Sequence, residues 1–321
     1  MMFRTARLTA VLVVLGLMRL EALSCDLCSV FAASEARGEI GKGWFAGLAE
    51  QFTHFGTLQT DGNKVANPRG QYLDSSITQI LLGYNFMERL GVQVNVPIIY
   101  RSFQRPEGLA IEHGTETGLG DLSLLGNFQV WRFQTVHSTL AWNILGGVKF
   151  PTGSTSRLEE ETHELPVPPG AITSGIHGHD LTLGSGSYDG IAGTSVYARW
   201  KRLFLAAGTQ YTIRSRGDFD YQFANDLTWS GGPGVLALLT DDYSLALQTV
   251  VSGEVKGRDD FRGTVAEDTG MKAVYLGPQL LFTWRDKLSA QVALDLPASL
   301  DNTATQSVPD YRVRAALTWH F

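Results

Sequence analysis

Two cysteines, Cys25 and Cys28, are the only thiols in a chain of 321 residues, and they stand together as Cys25-Asp26-Leu27-Cys28. Three chemistries suit that spacing. In an oxidising compartment the pair can close a small strained disulfide. As thiolates they can hold a soft metal, with Asp26 or a histidine completing the set. Cys25 can also carry a lipid, although Leu23 lies one position too close for a good lipoprotein cleavage site. A c-type haem is excluded, because it needs histidine after the second cysteine and Ser29 stands there. The histidines form a second group: His113, His163, His177 and His179 fall in long polar stretches. His177-Gly178-His179-Asp180 puts two imidazoles and a carboxylate within one turn, a set for a borderline divalent metal or simply a solvated loop.

The segments that position these groups begin with an export signal. Arg4 and Arg7 precede an apolar run from Leu8 to Leu17, and Ala22-Leu23-Ser24 offers small residues for cleavage before Cys25. Residues 1–24 read as a signal peptide, 25–43 as a periplasmic segment carrying the cysteine pair, and 44–321 as the folded domain. The formal charge of -6 falls to -8 once Arg4, Arg7, Arg19 and Glu21 are removed, so nucleic acid is not an expected partner. No later stretch reaches the ~20 apolar residues of a membrane helix, so insertion in a membrane must be by strands.

From Trp44 onward, apolar and polar side chains alternate with period two over segments of roughly ten residues. Val92, Val94, Val96, Ile98 and Tyr100 oppose Gln93, Asn95 and Arg101; Tyr243, Leu245, Leu247 and Val251 oppose Ser244, Gln248 and Glu254. Leu122, Leu124, Phe128 and Val130 oppose Asn127 and Gln129, and Leu203, Leu205, Ala207, Tyr211 and Ile213 oppose Gln210 and Arg214. The last segment sets Tyr311, Val313, Leu317, Trp319 and Phe321 against Arg312 and Arg314, with aromatics at both ends as a lipid-facing wall requires. Residues 44–56 do not resolve into two faces. Short links near 85–90, 132–136, 201–202, 240–242 and 285–287 alternate with polar stretches at 57–70, 104–117, 151–187, 215–225, 256–270 and 297–308. The expected fold is therefore all-β: a transmembrane antiparallel barrel of about twelve strands, with short periplasmic turns and long extracellular loops.

Two resemblances follow from particular residues. Phe321 at the end of an alternating strand, with Tyr311, Leu317 and Trp319 on its face, resembles the C-terminal signal read by the barrel-assembly machinery of the outer membrane. Gly118-Leu119-Gly120-Asp121-Leu122 opening a strand, Val148-Lys149-Phe150-Pro151-Thr152-Gly153 closing one into a loop, and Leu183-Gly184-Ser185-Gly186-Ser187-Tyr188-Asp189 leading into the next resemble the MetA-type outer-membrane transporter family, named for the meta-cleavage pathway of phenol degradation. That resemblance implies a barrel passing small hydrophobic or aromatic molecules. The glycines also suit bulges and tight bends at a barrel rim, and Asp121 and Asp189 are expected there as turn caps or as groups meeting a solute or cation.

On the inward face Gln93, Asn95, Arg101, Asn127, Gln129, Asn143, Lys149, Gln210, Arg214, Gln248, Glu254, Asp295, Arg312 and Arg314 are expected to line a narrow mixed-polar lumen, joined by Gln279 and Gln291. The expectation is a porin-like channel for small solutes in the outer membrane of a Gram-negative bacterium, with lipid and the assembly machinery as partners. The alternative is a scaffold whose Cys25/Cys28 segment binds metal or docks a periplasmic redox partner. An enzyme is not expected: the adjacent pair His137-Ser138 falls beside a periplasmic turn, away from the extracellular rim where a barrel lipase works.

Overall fold

The computed structural model describes residues 42–162, 173–285 and 287–321. The expectations for the signal peptide, for Cys25 and Cys28 and for His163 lie outside the described residues.

Twelve antiparallel staves close into a barrel. They are β1 (Gly43–Thr60), β2 (Tyr72–Met87), β3 (Leu90–Glu107), β4 in two pieces (Ala110–Leu119 and Ser123–Gln134), β5 (Ser138–Lys149) and β6 (Asp189–Trp200). The second half is β7 (Leu203–Ile213), β8 (Asp226–Leu239), β9 (Tyr243–Lys256), β10 (Met271–Trp284), β11 (Leu288–Asn302) and β12 (Thr305–His320). Each pairs with its neighbours in sequence, and β12 returns to β1 from Phe45 opposite His320 to Thr60 opposite Thr305. Closure satisfies the backbone groups that an open edge would leave unpaired in hydrocarbon.

Outward side chains form an apolar belt. Leu48, Ile80, Val94, Ile98, Leu205, Leu247, Leu280, Val292 and Leu317 are all exposed on it. A continuous surface of this kind is stable against lipid and not against water. Trp44, Trp131, Trp142 and Trp200 are exposed near the ends served by short turns, where Trp284 and Trp319 also lie 6.0 Å apart. Tyr100, Tyr211 and Tyr311 are exposed toward the opposite rim. The two groups make aromatic girdles.

Three expectations are corrected. Residues 104–117 and 297–308 are not loops: β3 turns into β4 at Gly108, with φ 59°, and β11 into β12 at Ala304, with φ 51°. Polar residues on both faces made these hairpins look like loops, whereas the polarity serves cross-strand pairs such as Arg105 with Glu112 at 2.7 Å. The Gly118–Leu122 stretch spans the break in β4 and does not open a strand. A register shift between Gln129 and Trp131 re-aims the end of that stave, turning Trp131 and Phe133 outward.

The faces of β1, unresolved in the sequence, are now clear. Ala49, Gln51, Thr53 and Phe55 are buried inside, while Leu48, Glu50, Phe52 and His54 lie on the lipid side. Glu50 is tolerated there because Ser76 and Thr78 of β2 each donate a hydrogen bond to its carboxylate, both at 2.5 Å. His54 is held by Asp74 at 2.6 Å and stacks on Tyr311.

Candidate functional site: the lumen and the loop that enters it

Period-two alternation turns one side of every stave inward, and most of the residues expected to line the lumen are buried there. These are Gln93, Asn95, Arg101, Gln129, Asn143, Lys149, Arg214, Gln248, Glu254, Asp295, Arg312 and Arg314, joined by Gln279; Asn127, Gln210 and Gln291 are half-buried on the same face. They are mostly engaged with each other. Gln93 donates to Asn95 at 2.8 Å and Gln129 to Asn143 at 3.3 Å. Arg314 holds both oxygens of Asp295, at 2.7 and 3.0 Å. Arg312 pairs with Glu254 and lies 4.5 Å from the ring centre of Tyr275.

The three glycine-rich motifs, distant in sequence, meet at one point on the inner rim. The Lys149 ammonium lies 2.8 Å from Asp121 and 2.7 Å from Asp189, and it donates to the Ser185 hydroxyl at 2.7 Å. Asp121 also accepts from the backbone of Gly153 and Ser185, while Asp189 and Asp226 share Arg214. Asp121 and Asp189 are 5% and 1% exposed, so of the two roles expected at the rim the capping one fits, with Asp121 accepting from the Gly153 and Ser185 amides and Asp189 from that of Ser215, and neither is open to a solute. Burial forces each carboxylate to find a fixed cation, and the barrel supplies one. The glycines answer a packing demand: a Cβ on Gly184 would come within 2.5 Å of the Gly153 carbonyl oxygen.

Both ends of the longest loop are thereby fastened, and its described part turns into the barrel. Two short helices, α1 (Leu158–Glu161) and α2 (Gly178–Leu181), belong to it. Ile176 and Leu181 pack on Phe55, Leu73 and Phe103, and Leu183 packs on Ile77 and Ile99. Arg101 donates to the Asp180 carbonyl and, at 2.7 Å, to that of Thr182, which cancels the exposed carbonyls of a broken turn.

The loop histidines are not solvated in the way their polar setting suggested. His179 is buried, 2.9 Å from Glu161 and 3.5 Å from Asp180, and stacks on His177, which lies 3.3 Å from Asp268. Burial disfavours its charge, but Asp180 and Glu161 outweigh that and push its pKa up to about 10. Burial likewise opposes the Glu161 carboxylate, and His179 overcomes it to bring that pKa down to about 2. Burial and Asp259 raise the Tyr221 phenol, which donates to Asp259 at 2.7 Å. Among the described residues no group of three or more His, Cys, Asp or Glu is arranged to hold a metal. His113 is exposed on β4, and His137 is exposed at the turn before β5, with Ser138 beside it.

Sequence patterning missed an apolar patch on the inner wall. Tyr197, Phe204, Ala206, Leu236, Ala246 and Leu281 cluster at the periplasmic end of β6 to β10. The signal was present in Leu203-Phe204-Leu205-Ala206-Ala207, a run apolar on both parities. Cavities follow one another along the lumen. One of about 120 Å³ lies beneath the loop, between Ile176 and Arg312. One of about 40 Å³ lies mid-barrel, and one of about 360 Å³ opens toward the periplasmic turns over the apolar patch.

No family model and no curated protein matches the chain. Among solved structures, an outer-membrane channel from Pseudomonas putida F1 superposes with a TM-score of 0.63 at 15% identity, over 89% of this chain and 98% of that one. The β domain of the Bordetella autotransporter BrkA gives a TM-score of 0.45 at 10% identity, over 88% of this chain and 100% of that one. The CymD monoaromatic hydrocarbon channel gives 0.39 at 9% identity, over 94% of each chain. The Pseudomonas likeness is one of fold: an outer-membrane type of barrel.

Proposed function

We propose that the protein is an outer-membrane channel for small solutes, with hydrophobic or aromatic compounds as its cargo. One observation carries the reading: cavities in series run from beneath the inserted loop to the periplasmic mouth, inside a closed barrel whose outer wall suits lipid. A barrel that served only as an anchor needs no such space. The inner patch around Tyr197, Phe204 and Leu236 offers apolar surface to cargo, while paired charges keep the lumen near neutrality. Gln248 and Arg314 border these cavities, and we place the buried Gln93 and Asn95 on the same inner wall. The Pseudomonas channel of like fold and the monoaromatic cargo of the CymD channel are in keeping with it. We assign residues 1–24 to export, and Tyr311, Leu317, Trp319 and Phe321 to recognition by the assembly machinery.

The test is purified protein in planar bilayers, where small, stable single-channel currents are expected. Electrical silence that persists after deletion of residues 151–187 would overturn the channel.

A further inference from the structure

We infer that the Arg312–Glu254 pair is the constriction of the lumen, setting both its size limit and its charge preference; this deepens the channel reading and rests on it. The pair differs from other ion pairs of the inner wall in the direction it runs. Arg314 and Asp295 sit on neighbouring staves, β12 and β11, so their contact lies along the wall. Arg312 is on β12 and Glu254 on β9, with β10 and β11 between them, so their contact cuts across the interior. The guanidinium is held as a strut: it donates to Thr53 of β1 at 3.4 Å and to the Tyr275 hydroxyl of β10 at 3.3 Å, while covering the Tyr275 ring.

Its place along the axis is that of a partition. Arg312 and Glu254 both border the cavity beneath the loop, and both border the mid-barrel cavity. Arg314, Ser195 and Ser230 in turn border the mid-barrel and periplasmic cavities. The middle space, about 40 Å³, is the smallest of the series and holds on the order of one to three waters. A larger solute passes only if side chains move. The backbone wall cannot, since its ladder is closed, and Arg314 is pinned flat by two hydrogen bonds to Asp295. The crossing pair is what must part. Because it holds one charge of each sign at the narrowest point, removing either leaves a fixed charge that selects against ions of its own sign.

The full-length protein and three variants, Glu254→Gln, Arg312→Gln and the double Arg312→Ala/Glu254→Ala, would be compared in planar bilayers under a potassium chloride gradient. Asp242→Asn, at an exposed periplasmic turn, serves as a control. The double variant is expected to conduct several-fold more than the unaltered protein. Glu254→Gln should move the reversal potential toward anion preference and Arg312→Gln toward cation preference, opposite shifts that a purely structural role would not produce. Heat-modifiable gel mobility reports whether each barrel is folded. Where Arg312→Gln fails to fold, Arg312→Lys keeps the charge but shortens the strut, and should raise conductance with the reversal potential unchanged. If the unaltered protein conducts and every folded variant matches it, the pair lies off the path and this inference falls while the channel stands. If the unaltered protein and the double variant are both silent, and the double variant stays silent with residues 151–187 deleted, no path crosses the lumen and both readings fall.

Discussion

The Lys149 ammonium shows what one buried charge does in this protein. It touches Asp121 in the break before the second piece of β4, Ser185 in the loop and Asp189 at the start of β6, so it ties three separate stretches together. Removing it leaves the buried Asp121 carboxylate without a cation and Asp189 with Arg214 alone. Lys149→Met is expected to cost about 3–5 kcal/mol, the usual penalty for orphaning a buried partner, and unfolding in denaturant would measure it. His179 and Glu161 give a pH dependence with a definite sign. His179 is raised from 6.5 to about 10, so its contribution is full below pH 6.5 and is lost as pH rises through about 10. Glu161 is lowered from 4.5 to about 2, so its contribution is full above pH 4.5 and is lost as pH falls through about 2. The loop is therefore held most firmly between pH 4.5 and 6.5. Proteolysis of the loop, followed against pH with an enzyme active across the range, should be slowest in that window; a flat profile would refute the pair as an anchor.

At the scale of elements, the inserted loop depends on close approach between its two ends. Gly153 and Gly184 lie in contact, and the Leu183 and Gly184 amides donate to the Ser154 carbonyl at 3.2 and 2.9 Å. Gly184→Val would drive a side chain into the Gly153 backbone, so the loop end must lift. Faster chymotryptic cleavage within residues 151–187 is expected while the barrel stays folded; unchanged cleavage would mean that the loop is held elsewhere. The glycines of these motifs were legible as a rim feature, and their partnership was not. Residues about thirty positions apart carry no mark in sequence that they will touch. The same limit explains β1, where Glu50 reads as a polar residue without a side until Ser76 and Thr78 are seen to receive it.

For the whole molecule, stability rests on two solvents, lipid outside and a packed polar interior within. Leu280 is exposed on the outer wall of β10, and Gln279 beside it is buried inside. Leu280→Arg should therefore cost about 2–4 kcal/mol near the bilayer midplane, measured by urea unfolding in lipid vesicles. A cost near zero would remove that wall from the membrane. Strand number, alternation and the inside and outside of most staves were determined by the sequence alone, because each is a period-two or turn pattern that neighbouring residues carry between them. Tertiary structure alone decided which inward residues meet. That Lys149 joins Asp121 to Asp189, that the described part of the loop packs on the inner wall, and that Arg312 crosses to Glu254 all depend on the tilt and register with which the sheet closes. Those are properties of the whole ring of staves and of no single strand.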